Sequence, residues 1–151
     1  MTQYIDKTEQ LYPHEIEQAS NSYLMAVVAV IAGVPLPIVN VIASFLFYLG
    51  QRKSSYFVRW HCIQAILAQA IMVPFNSIAI GWTIRLLIDE NTPDMYYIMY
   101  ISFVLVFNIV EFFTVIITAA EVRKGKNVRW FLIANLTDAI TSKENRDPYK
   151  I

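Results

Sequence analysis

Charge is absent from Gln18 to Gln51, and the apolar pattern there is continuous. Two further apolar runs follow, Trp60 to Ile84 and Met95 to Ala120, the last carrying a single charged residue, Glu111. A helix that spans a bilayer needs roughly 20 apolar residues at about 1.5 Å each. The second and third runs fit one span apiece. The first is longer than one span and too short for two plus a turn. Gly33, Pro35 and Pro37 interrupt it. Two readings stay open: one long span over 22–50, kinked at Pro35–Pro37, or a re-entrant pair of half-helices. Pro74 predicts a kink in the second span.

The pattern thus predicts an all-α integral membrane protein with three transmembrane helices at about 22–50, 60–84 and 95–120. The run Trp130 to Ile140 is too short to cross and predicts an interfacial helix over 129–140. A polar, acidic tail (1–21) precedes this membrane domain (22–140), and a polar tail (141–151) follows it. The first apolar run starts late and after acidic residues, so no cleavable signal peptide is expected.

Composition agrees with lipid exposure. Hydrophobic residues make up 56% and charged residues 16% of 151, and mean hydropathy is +0.44. Soluble domains carry roughly 45–50% apolar and 25% charged residues. Net charge is zero, so no global field favours nucleic acid.

The placement of charge is more informative than its sum. Arg52, Lys53 and Arg59 follow the first run, and Arg123, Lys124, Lys126 and Arg129 follow the third. The loop between the second and third runs holds Asp89, Glu90 and Asp94. The positive-inside rule puts both basic segments in the cytoplasm of a bacterial inner-membrane protein. A single long first span would place the N-terminus outside, and a re-entrant one would place it inside. Tyr48, Tyr56, Trp60 and Trp130 fall near one predicted interface, and Trp82, Tyr96, Tyr97 and Tyr100 near the other. The basic set with Trp130 predicts contact with anionic lipid headgroups.

Glu111 is the main candidate for chemistry. A charged carboxylate in hydrocarbon costs at least about 3 kcal/mol, so it must face other helices, water or a partner. Asn108, Thr114 and Thr118 share its helical face, with Tyr100 close to it. Counting about 1.5 Å per residue puts Glu111 roughly 12 Å in from Ala119. The same count reaches Gln69 from His61, and the turn after Asn40 from Gly50. An intramembrane cluster of Glu111, Gln69, Asn40 and Asn108 is expected. It serves either as hydrogen-bonding glue between helices or in ion or proton transfer.

His61 shares a face with Gln64, Ala65 and Ala68 and is expected to turn into the bundle. Arg59 and Trp60 are expected at the lipid interface. A metal or haem site is not expected: His14 is the only other histidine, and Cys62 the only cysteine. Ser22, Ala26, Ala29 and Gly33 form a small-residue stripe suited to close helix packing. Four glycines make no phosphate-binding loop, and no nucleophile–base pair or carboxylate pair is present. No cofactor and no enzymatic activity are expected. Asn135-Leu136-Thr137 matches a glycosylation sequon by chance on a cytoplasmic helix.

The unit Phe57-Val58-Arg59-Trp60-His61, with Gln64-Ala65 one turn on, resembles a motif of small bacterial membrane proteins. These form a family of unknown function, similar to the twenty-kilodalton Tic component of the chloroplast inner-envelope import translocon. A second, looser match runs from Ala119-Ala120 through Gly125-Lys126 to Arg129-Trp130-Phe131, with Phe131 where that family carries proline. The resemblance implies an all-helical membrane module linked to protein translocation. The expected function is a non-catalytic accessory or structural subunit of a larger membrane complex, bound to lipid and to other membrane subunits. The alternative is a small channel or transporter built on Glu111, its substrate open.

Overall fold

The computed structural model describes residues 2–3, 11–31 and 37–144. Five helices carry the fold: α1 (Pro13–Ile31), α2 (Pro37–Gln51), α3 (Tyr56–Ile88), α4 (Met95–Arg123) and α5 (Ile133–Glu144). A two-residue strand, β1 (Thr2–Gln3), pairs antiparallel with β2 (Asn127–Val128).

Helix α1 starts within the predicted acidic tail. Pro13 stands at its first position, where a missing N–H costs nothing, and the Glu15 carboxylate accepts the Tyr12 backbone N–H at 2.9 Å. Glu15, one of the acidic residues that give this stretch the look of a polar tail, is part of its helix-start signal.

The first apolar run is not one long span. Ser20 Oγ donates to the Ala119 carbonyl at 2.9 Å, near the end of α4. The Tyr23 hydroxyl meets His61 near the start of α3. Helix α2 finishes at Gln51, just before α3 begins, and its Tyr48 packs on the core around Tyr23. Hence α1 and α2 run antiparallel, with both open ends at one end of the bundle. The run is long enough for this because α2 needs only 15 residues, about 22 Å. The break predicted at Gly33 and Pro35 lies outside the described residues; Pro37 opens α2.

Among the described residues, two helices, α3 and α4, are long and apolar enough to cross a membrane. This revises the expected three. Pro74 lies inside α3 without ending it. Only 17% of the most apolar stretch of α4 is buried, whereas the core helix of a soluble protein is mostly buried. Met99, Phe103, Val106, Val110, Phe113 and Ile117 all face outward.

Packing is uneven along the bundle. From Phe57 to Ala65 nearly every residue of α3 is buried, beneath α1, α2 and α5. Beyond Met72 only Ala79 is buried, and α3 and α4 continue as a hairpin. The core joins Ala19, Tyr23, Val58, Cys62, Val115 and Val122. Helix α5 buries Ile133, Ala134, Thr137 and Thr141 and turns Leu136 and Ile140 outward, with Phe131 and Leu132 exposed just before it.

The two ends of the α3–α4 hairpin are finished differently. After α4, Gly125 takes a left-handed φ of 79°, and Lys126 N–H closes on the Glu121 carbonyl at 3.2 Å. After α3, Glu90 holds the equivalent place at φ 53°, with Asn91 N–H on the Leu86 carbonyl at 3.1 Å. A side chain at that φ is strained, while glycine is not. Glu90→Gly is expected to raise stability by about 0.5–1 kcal/mol, read as a higher thermal midpoint in detergent.

Candidate functional site

Polar side chains form a ladder along the α3–α4 seam. Gln69, Asn76 and Thr83 recur every seven residues on α3, a spacing that keeps them on one face. Their partners descend α4 in the opposite sense. Gln69 Nε2 donates to the Glu111 carboxylate. Asn76 and Asn108 exchange amide hydrogen bonds at 2.8 and 3.2 Å. Thr83 Oγ1 donates to the Ala79 carbonyl, so the Tyr97 hydroxyl donates to Thr83 at 2.9 Å. Tyr100 donates to the Phe75 carbonyl at 3.0 Å.

Asn40, from α2, reaches the same level. With Gln69, Asn76, Asn108 and Glu111 it lines a cavity of about 80 Å³. All four residues of the expected intramembrane cluster therefore border one space. Among the described residues, Glu111 is the only ionisable group on its walls. The Asn40 Oδ1 acceptor is buried there without a hydrogen-bond partner. Counting depth inward from one end alone misses Asn76. Its seven-residue distance from Gln69 is the available signal.

A second polar group sits at the start of α3. Gln64 Nε2 donates to the Tyr23 hydroxyl at 2.7 Å and to the Val128 carbonyl at 3.0 Å. Its Oε1 accepts the Trp130 backbone N–H at 3.2 Å. The Tyr23 hydroxyl also shares a hydrogen bond with His61 Nδ1 at 2.8 Å. Trp130 Nε1 donates to Thr118 at 2.9 Å. His61 is fully buried, edge-on to Phe57 and Trp60. Together these bonds fasten α1, α3, α4 and the strand after α4.

Several expected interface residues lie elsewhere. Trp60 is buried, its Nε1 donating to Asp138 of α5 at 2.8 Å. Arg129 pairs with the same carboxylate and stacks over the Trp60 ring, 5.1 Å from its centroid. Arg59 is half-buried rather than extended into lipid. Lys124 and Lys126 both bind Glu121, and Arg123 lies 3.7 Å from Glu17. Each member of the basic set has an acidic partner within the chain, and Arg123 and Lys124 stay more than half exposed. Ser22 and Ala26 of the small-residue stripe are buried. The Ala29 side chain and Gly33 lie outside the described residues. Among the described residues, no three His, Cys, Asp or Glu side chains converge.

An exposed apolar belt, two long antiparallel helices and a polar ladder between them define a small all-α protein with two candidate membrane spans. The chain belongs to the magnetosome magnetite crystal formation protein family, MamF/MmsF, whose family model matches residues 19–137. No curated protein and no solved structure matches it. The family match overturns the resemblance to the chloroplast import component, and the link to protein translocation falls with it. The aromatic–basic–aromatic–His unit behind that resemblance is explained by local packing. Trp60 and His61 are buried beneath α5 and against α1, so the motif reports how this helix start is covered.

Proposed function

We propose that the protein is a non-catalytic structural subunit of the magnetosome membrane that takes part in magnetite formation. Membership of the magnetite crystal formation family across 19–137 is the observation that carries this reading. The outward apolar face of α4 supports its place in the bilayer. The magnetosome membrane is an intracellular membrane, so the positive-inside rule orients the basic end to the cytoplasm. The acidic turn 89–94 then faces the compartment where the mineral grows. Carboxylate oxygens are hard donors suited to iron ions and oxide surfaces.

In a magnetosome-forming host, the protein is expected in the magnetosome membrane fraction, resistant to alkaline carbonate and high salt. Deleting its gene should change crystal size or number, restored by the wild-type chain. Release by carbonate, or unchanged crystals, would overturn the reading. Purification in mild detergent should also recover a stable membrane partner if the chain is a subunit.

A further inference from the structure

The cavity at Glu111 has a neighbour. On the other side of Glu111 and Met72, a groove of about 340 Å³ runs beneath Trp130, Phe131 and Leu132, with Thr114 on its wall. Glu111 therefore borders two spaces. One is bordered by polar side chains of α2, α3 and α4. The other is lined almost entirely by apolar side chains, apart from Glu111 and Thr114, and leads towards the basic end of the bundle. From the polar cavity the ladder continues through Asn76–Asn108 and Tyr100 to Thr83–Tyr97, near the acidic turn. The α3–α4 seam thus carries polar groups from near one end to the other, with one carboxylate at its middle.

One oxygen on the cavity wall is left without a donor. Glu111 brings two oxygens and receives one hydrogen bond from Gln69. Asn76 and Asn108 satisfy one another. Asn40 Oδ1 is left with no partner. A buried polar atom of this kind is normally met by a donor, by water or by a cation. About 80 Å³ is room enough for water or a small cation. With a single carboxylate and no other ionisable group among the described residues of the walls, one positive charge neutralises the site. A divalent ion would leave a net charge in the apolar interior.

We propose that Glu111 and Asn40 form a site for one monovalent cation, a proton or an alkali-metal ion, and that Glu111 passes it between the polar cavity and the groove below Trp130. This activity goes beyond the structural role proposed above and needs no mineral to be observed.

Vesicles of neutral lipid carrying the full chain, loaded with a pH-sensitive or a sodium-sensitive dye, test it under an imposed potassium diffusion potential. The wild-type chain should admit protons or sodium severalfold faster than empty vesicles, and the dye that responds names the ion. Glu111→Gln keeps an acceptor for Gln69 but cannot take up the charge, and should return the flux to that of empty vesicles. Asn40→Ala leaves the carboxylate in place and should lower the flux severalfold. Circular dichroism and gel filtration check that each variant is folded. No flux above empty vesicles with either dye, or wild-type flux in folded Glu111→Gln, overturns the proposal. Unchanged flux in Asn40→Ala overturns the part given to Asn40. Should Glu111→Gln not fold, Glu111→Asp replaces it. That variant keeps the charge but draws it back from Asn40, and should lower the flux severalfold. Wild-type flux of the responding ion in folded Glu111→Asp would then overturn the proposal.

Discussion

Gln64→Leu is expected to destabilise the protein by about 3–5 kcal/mol, although it keeps the volume of the side chain. The loss is in the partners left behind. Gln64 meets the Tyr23 hydroxyl, the Val128 carbonyl and the Trp130 N–H, and the leucine meets none of them. Tyr23 keeps His61, so the part-buried Val128 carbonyl and Trp130 N–H are the groups left without a partner, at about 1–3 kcal/mol each. The strand after α4 should loosen first, since two of the three bonds hold it. Hydrogen exchange at Trp130 should rise, and the thermal midpoint in detergent should fall. A midpoint within error of wild type would show that water replaces Gln64 without loss. Tyr23→Phe removes one hydroxyl from the same network and should cost less.

Trp60→Ala is expected to release α5. The ring is almost wholly buried between α3 and α5. Truncating a buried tryptophan costs about 3–5 kcal/mol. Here it also removes the hydrogen bond to Asp138 and the face on which Arg129 stacks. Limited proteolysis should then cut between 129 and 144 in the variant under conditions that spare the wild type. Trp60→Phe keeps most of the packing and loses the N–H, so a smaller loss of about 1–2 kcal/mol should follow. Equal protease resistance in Trp60→Ala and wild type would mean that α5 is held by Ile133 and Ala134 alone.

The α3–α4 hairpin is readable from apolar run lengths, because nothing but a helix pair suits two such runs joined by Asp89 to Asp94. The nearness of Gln69 to Glu111 is readable too. Antiparallel helices convert equal depth from one end into contact, so counting residues suffices. The fold-back of α1 and α2 is not decided by the sequence: Gly33, Pro35 and Pro37 punctuate a kink and a reversal alike. What chooses the reversal is tertiary, the fit of Tyr23 and Tyr48 into a common core. The Gln64 network is illegible for another reason. Two of its partners are backbone groups, the Val128 carbonyl and the Trp130 N–H, and backbone groups carry no residue-type signal. Trp60 misleads because an indole before an apolar run suits a lipid headgroup and a covering helix equally well. Only Asp138, far along the chain, separates the two.

For a chain embedded as proposed, the antiparallel course of α1 and α2 sets what must be moved during biogenesis. Both described chain ends, and every basic segment, lie at the end where α3 starts and α4 finishes. Among the described residues, the polar piece that has to pass through the bilayer is the short turn from Asp89 to Asp94 with Arg85, which pairs with Asp89. A pair of apolar helices can carry so small a load with it as they insert together. The described helices can therefore be built into a membrane from one side.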